Sequence, residues 1–349
     1  HPHAGGTGHG TRTMNHETRV YDSILEMLPS EENPSPLVRI NRLLPPELTR
    51  ANFRLFAKLE WLNPFGSVKD RAAASMIADL EARNELGPSR PGRGIVEPTS
   101  GNTGLSLAAI CGVRGYPMRA VTPSKVPAEK RMLLKLFGAD LDVTNDAMCP
   151  LPGAEDGTIG LARTHARASS DRYVMPNQYE NQANVNAHIR TTGPEIWRQT
   201  DAKVTHVFTS LGTCGTVTGL ARVLKARAAE VGRTVRIIAV QPSPGHDVPG
   251  IRNTSELDVS RLYDRTLIDE IIEVPFDTAY DRVLDLCRVE GLMAGPSSGL
   301  IFQGARTVLE RDANAGTLPE NGVGVMIFCD SILKYASSML KHHPELAGE

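Results

Sequence analysis

The chain has 349 residues, 40% of them hydrophobic and 22% charged, with a formal net charge of −2 from 38 Lys+Arg against 40 Asp+Glu. A near-neutral chain without a basic tract gives no electrostatic case for nucleic acid or an anionic membrane, and no apolar run is long enough to span a bilayer. The length fits two domains or one large α/β unit, with ample apolar material for a core.

Residues 1–19 open with HPHAGGTGHGTRT, rich in Gly and His, and are expected to be a disordered arm or an expression remnant, not a signal peptide. From there, short apolar runs alternate with longer amphipathic ones. Strands are predicted at 54–60, 94–98, 119–122, 204–210, 235–241, 270–274 and 324–330. Helices are predicted at 70–86, 127–138, 217–232 and 279–291. This alternation predicts an α/β fold of largely parallel sheets covered by helices. Two stretches, 145–158 and 241–257, read as irregular loops rich in Pro and Gly. The cysteines Cys111, Cys149, Cys214, Cys287 and Cys329 are far apart and form no C-x-x-C pair. They argue against a zinc site or a disulfide framework and for a reducing, cytoplasmic setting.

In parallel α/β sheets ligands bind beyond the carboxyl ends of strands, so the strand-to-helix turns are the places to search. After the strand at 94–98 comes TSGNTG, where Thr99, Ser100 and Thr103 offer hydroxyls, Asn102 an amide, and the following helix unpaired N–H groups. Capping would explain one or two such residues; six in a row point to a nest for a carboxylate or phosphate. After the strand at 204–210, Gly212, Thr213, Cys214, Gly215 and Thr216 have the composition to wrap a phosphate, although they match neither G-x-G-x-x-G nor a Walker loop. In NPFGSVKDR (63–71), Lys69 falls in the first helical turn, where the dipole disfavours a cation and raises the share of neutral amine that Schiff-base chemistry uses. A solvated lysine paired with Asp70 or Glu85 is the bland alternative. In GLMAGPSSGL (291–300), Ser297 and Ser298 stand where a hydroxyl can cap a helix or meet a ligand's ring nitrogen.

NPFGSVKDR, EPTSGNTG, PNQYENQAN, GTCGTVTG and GPSSG occur in the order found in the cysteine synthase / cystathionine β-synthase family, and the chain resembles these fold type II pyridoxal-phosphate enzymes from about residue 35 to 340. The resemblance implies a tryptophan synthase β-like architecture of two three-layer αβα domains. The smaller, mobile one would comprise 41–62 and 97–179. The larger, cofactor-binding one would comprise 20–40, 63–96 and 180–349. It implies pyridoxal 5'-phosphate as cofactor, with Lys69 as the Schiff-base lysine and Asn102 on the phenolic oxygen. Gly212, Thr213, Cys214, Gly215 and Thr216 would hold the phosphate, and Ser297, with Ser298 as the alternative, the ring nitrogen. Thr99, Ser100, Asn102, Thr103 and Gln178 would grip the substrate carboxylate. Arg252 is the candidate for a phosphate leaving group, and His246 is expected to be structural or exposed. The family usually has glycine at position 214, so a left-handed backbone there is expected to cost something.

A neutral serine at the ring nitrogen weakens the electron sink and favours prompt loss of a β-substituent. The implied function is β-replacement on O-acetylserine or O-phosphoserine with a small sulfur nucleophile, in a homodimer. An amine or homocysteine nucleophile, or dehydratase chemistry on serine or threonine, keeps the same scaffold.

Overall fold

The computed structural model describes residues 19–99, 101–145 and 157–348. All but the last residue of the expected arm, Ser100, Cys149 and most of the 145–158 loop lie outside the described residues. The first part of the chain gives β1 (Leu37–Arg39), α1 (Pro46–Arg50), β2 (Arg54–Leu59), α2 (Lys69–Ala82), β3 (Gly94–Pro98), α3 (Asn102–Arg114) and β4 (Met118–Pro123). Next come α4 (Ala128–Leu136), β5 (Asp140–Thr144), α5 (Thr158–Ala168), β6 (Tyr173–Val174), α6 (Gln182–Ala187) and α7 (Gly193–Gln199). The remainder is β7 (His206–Ser210), α8 (Gly215–Glu230), β8 (Arg236–Pro242), β9 (Glu270–Val274), α9 (Phe276–Asp285), α10 (Pro296–Asn314), β10 (Val323–Phe328) and α11 (Ala336–His342). All seven predicted strands are present within two residues of their expected ends. The helix predicted to reach residue 86 stops at Ala82, ahead of Asn84 with its left-handed φ of 57°.

Two sheets form. The larger has the order β1-β2-β10-β7-β8-β9 and the smaller β5-β4-β3-β6. Among the described strands, only β1 runs antiparallel to its neighbour. The central strand β10 reads VGVMIF and is buried throughout, as a parallel strand covered on both faces must be. Its period-2 alternation divides the core. Met326 and Phe328 pack with Phe208, Ile238, Phe302 and Leu309, while Val325 and Ile327 pack on the other face with Val207, Ile237, Val217 and Leu224. A separate core, including Ile95, Leu107, Ile110, Met118 and Leu134, packs around the small sheet.

The sheet pairing corrects two expected boundaries. Segment 63–96 is expected in the larger unit, yet its residues Gly94, Ile95 and Val96 belong to β3 and pair with β4 and β6 in the small sheet. Segment 41–62 is expected in the smaller unit with 97–179, yet β2 within it pairs in register with β10 along its whole length, from Arg54↔Val323 to Leu59↔Phe328. Its alternate residues Leu55, Ala57 and Leu59 belong to the large-sheet core, and burying them there fixes the strand in that sheet.

Beyond β2 the chain enters a fully buried ionic cluster. Arg71 donates through Nε and Nη2 to Glu60 at 2.7 and 2.9 Å, and through Nη1 and Nη2 to Glu195 at 2.6 and 2.8 Å. Lys58 completes it, 2.8 Å from Glu195 and donating to the Ser35 carbonyl and to Gln199. Two cations meet two carboxylates, and each guanidinium edge has an acceptor, the condition under which buried charge is tolerated. Burial pushes the Glu60 carboxyl up, but Arg71, Lys58 and Ser35 together outweigh it and hold the group down at about 2. The cluster ties β2, α7 and the first turn of α2 together. Arg71→Met takes the ion pair from buried Glu60 and leaves Glu195 with Lys58 alone, and is expected to cost about 3–5 kcal/mol, read as a lowered urea midpoint with an unchanged m-value.

Candidate active site

A cavity of about 570 Å³ opens where the carboxyl ends of β3, β7 and β10 approach one another, and it takes in Thr99, Thr209, Ser210 and Cys329. Its position is the one parallel sheets dictate, with strand ends and helix starts converging on one space. Lys69, Asn102, Thr103, Gln178, Gly212, Thr213, Cys214, Thr216, Arg252 and Ser297 all line it, so four separate segments singled out by composition meet at one site.

Lys69 begins α2 and donates from Nζ to Thr213 Oγ1 at 3.2 Å. The paired, solvated alternative fails, because Asp70 instead accepts from the Phe65 N–H at 2.7 Å and from Ser106 at 2.6 Å, and Glu85 binds Arg83. The Lys69 ammonium is held below its ordinary pKa, and burial is the leading cause. The helix end predicted the direction, but desolvation carries the effect.

The turn at 212–216 has the shape of an anion cradle. Cys214 is left-handed, with φ 69°, as the usual glycine there led us to expect. That conformation turns the chain sharply into α8, whose first N–H groups have no partner inside the helix. Gly215 is fixed by close approach: a Cβ there would lie 2.1 Å from Asn184 Oδ1. Asn184 Nδ2 in turn donates to Thr213 Oγ1 at 2.9 Å and to the Gln178 carbonyl. Thr216 Oγ1 meets His188 Nε2 at 3.2 Å, and burial drives the His188 pKa down to about 3, so the ring is neutral.

Across the cavity, Thr99 Oγ1 accepts from the N–H groups of Gly101 and Gly104 and so shapes the turn into α3. Thr103 donates to Gln178 Oε1 at 2.7 Å, and Gln178 Nε2 donates to the Pro98 carbonyl. Glu97, unforeseen from sequence, holds this corner: its two carboxylate oxygens accept from the Asn177 and Gln178 N–H groups, both at 2.8 Å. Asn102 donates to Asp330 at 2.7 Å and accepts from Lys334 Nζ at 3.0 Å, and Asp330 also accepts from the Tyr335 hydroxyl. No sequence motif announced Asp330, Lys334, Tyr335 or Lys130, which also border the cavity.

Of the two serines, Ser297 lines the cavity and Ser298 does not; the Ser298 Oγ is buried without a partner among the described residues. Arg252 is buried, and its guanidinium lies 5.7 Å over the Tyr179 ring and, among the described residues, donates to the Glu256 carbonyl at 3.3 Å. His246 meets Glu256 at 3.1 Å and accepts from the Val248 N–H, a loop-shaping role. Ser100, also named from sequence, lies outside the described residues.

The donor set suits a phosphorylated aldehyde. It combines a buried amine of lowered pKa, a glycine-lined cradle with two threonine hydroxyls at a helix start, and a neutral serine. Matching against family models gives one described as pyridoxal-phosphate dependent enzyme over residues 28–330. The chain belongs to this family. Pyridoxal phosphate is its cofactor. Among similar curated proteins, cysteine synthase B of Salmonella typhimurium is 37% identical over 306 residues, 87% of this chain and 92% of that one. Cysteine synthase B of Pseudomonas aeruginosa is 38% identical over 304 residues, 87% and 93%. Among solved structures, cysteine synthase from Entamoeba histolytica superposes with a TM-score of 0.80 at 29% identity, covering 95% of this chain and 94% of that one. An O-ureido-L-serine synthase gives 0.79 at 29% identity, with 92% and 96% covered.

This family member should tolerate change at 214 but not at 215. Cys214→Gly removes a side chain from a left-handed position and is expected to retain the visible cofactor band. Gly215→Ala drives a methyl into Asn184 and is expected to lose it. Absorbance of each purified variant after addition of pyridoxal phosphate and desalting measures both.

Proposed function

We propose that this chain catalyses β-replacement on an activated L-serine, with a sulfur nucleophile as second substrate. The observation that carries the reading is Lys69: an amine of lowered pKa, with no carboxylate partner, hydrogen-bonded to the threonine at the centre of the anion cradle. The names of the curated relatives, cysteine synthase B at 35–38% identity, support the same chemistry.

In this reading Lys69 would hold the cofactor's aldehyde carbon, and Gly212, Thr213, Cys214, Gly215 and Thr216 its phosphate. Asn102 would meet its phenolic oxygen and Ser297 its ring nitrogen. Bound pyridoxal phosphate supplies a carbonyl that captures the substrate amine and a ring that withdraws electrons from the α-carbon. Once freed, the Lys69 amine takes the α-proton at Nζ, a task for which its lowered pKa suits it. Thr99, Ser100, Asn102, Thr103 and Gln178 hold the substrate carboxylate and set which α-bond faces Lys69. Ser297 is neutral and leaves the ring nitrogen without a fixed proton, which favours loss of the β-substituent over exchange at the α-carbon. Arg252, a buried cation with a single backbone acceptor, gives the site a receptor for an anionic leaving group and favours O-phosphoserine over O-acetylserine. The free cysteines accord with a cytoplasmic setting, and the family resemblance with a homodimer.

A second reading keeps the scaffold and changes the nucleophile. The similarity to O-ureido-L-serine synthase motivates it, and amine or homocysteine nucleophiles and simple dehydration belong with it. Borohydride reduction followed by peptide mapping should label Lys69, and Lys69→Ala should lower turnover by about 10²–10⁴-fold. An unlabelled Lys69 sinks the proposal. Arg252→Ala should lower kcat/KM for O-phosphoserine by roughly 10–100-fold, the worth of a charge-assisted hydrogen bond, and spare O-acetylserine. Rates with sulfide, homocysteine and amines, against pyruvate release without any of them, choose among the nucleophiles.

A further inference from the structure

The residues assigned to the substrate carboxylate are all neutral: Thr99, Ser100, Asn102, Thr103 and Gln178. A carboxylate leaving water for a half-enclosed site loses hydration that neutral donors replace only in part, so a nearby cation is worth more there than at a surface. Lys130 is such a cation. It is the third residue of α4, borders the cavity and is only 6% exposed. Among the described residues its Nζ makes no hydrogen bond and no ion pair; its one close partner is the Tyr335 ring, 4.4 Å to the centroid. Nζ stands 3.6 Å from where a Cβ on Gly101 would be, beside the middle of the TSGNTG turn. Gly101 has no side chain, and the ammonium lies within van der Waals reach of the place one would take, close against the turn.

We propose that Lys130 supplies the counter-charge for the α-carboxylate of the amino-acid substrate, completing a grip whose other members are neutral. This rests on the cofactor reading above and adds to it a residue that none of the sequence motifs contains. The surroundings leave Lys130 available for the task. Asp330, at the exit of β10, attracts Lys130 without a hydrogen bond to it: its Oδ2 accepts from Asn102 and Tyr335, and its Oδ1, without a partner among the described residues, lies against Gly295. Glu129, on the same helix, accepts from Ser337. Lys334 is held by the Phe65 and Gly66 carbonyls and by Asn102. Lys125 borders the same cavity from the loop before α4.

The grip therefore carries its own pH dependence. Burial lowers the Lys130 pKa to about 8; Asp330 and Glu129 oppose that shift and Lys334 adds to it. Below pH 8 the side chain is an ammonium and holds the carboxylate; above it the charge is lost and the grip weakens.

The test uses the holoenzyme and the change in its visible band on titration with L-alanine, which has the carboxylate but no leaving group, and with L-alaninamide, which lacks the negative charge. Lys130→Met is expected to weaken L-alanine binding tenfold or more at pH 7 and leave L-alaninamide within twofold. Lys130→Arg should restore most of the affinity. Between pH 7 and 9, wild type should lose about tenfold more L-alanine affinity than Lys130→Arg, because the guanidinium stays charged. The amine of L-alanine titrates identically in both, so the contrast isolates position 130. Equal losses for alanine and alaninamide, unchanged alanine binding, or parallel pH profiles for wild type and Lys130→Arg would overturn the proposal. Should Lys130→Met fail to fold, the pH contrast alone decides. A raised KM for sulfide with unchanged alanine binding would move Lys130 to the nucleophile and likewise overturn it. A wild-type band that answers neither ligand is a different failure, that of the cofactor reading itself.

Discussion

The site depends on Arg71. Its guanidinium is sealed from water between Glu60 and Glu195, and it sits two residues after Lys69 on the opening turn of α2. A helix start is ordinarily its loosest part, because its N–H groups lack partners within the helix. Here that turn is bolted to β2 and α7 by hydrogen bonds that cannot be traded for water. The reactive amine therefore projects from a fixed point. Replacing the cluster with apolar side chains would remove the desolvation cost, but also the directionality that sets where the turn begins.

A division of labour follows along a short stretch of chain. Among the described residues the Lys69 amine makes one hydrogen bond and carries chemistry, whereas the Arg71 guanidinium reaches four acceptor residues and carries position. Asp70 between them turns away to the Phe65 N–H and Ser106, linking α2 to α3, which packs against it. Glu97 does the equivalent task for the opposite wall, using two backbone N–H groups in place of a cation. The two walls are thus aligned by buried carboxylates, one ion-paired set and two hydrogen-bonded ones.

Much of this was legible in the sequence, for a definite reason. The catalytic turns are local: Gly212 to Thr216, Thr99 to Thr103 and Ser297 each advertise themselves by runs of small and hydroxylated residues between an apolar strand and a helix. The seven strands found are rich in apolar and β-branched residues, with few charges to interrupt them. The strands that escaped notice are short, or, like DLDVT in β5, interleave acids with apolar residues at a sheet edge. Lys130, Asp330 and Lys334 were opaque because no motif near them in the chain marks them, and Arg71 and Glu97, although inside quoted motifs, have partners far along the chain that the motifs do not reveal. Lys130 stands in AEKRMLLKL, which reads as an ordinary amphipathic helix, and only the folded arrangement sets it against Gly101. The lowered pKa of Lys69 was expected for the helix dipole, whereas burial dominates; a sequence reveals where a helix begins more readily than how deeply its first turn is buried. Segment 41–62 was assigned to the wrong sheet because strand pairing between residues more than 250 apart leaves no local trace.

Cys214 and Cys329 both border the cavity that holds Lys69, and burial pushes each thiol up to about 12. At neutral pH only about one such group in 10⁵ is ionised. A catalyst that delivers sulfur to an electrophilic carbon thus keeps its own sulfur atoms chemically silent, and the incoming reagent meets no rival from the walls.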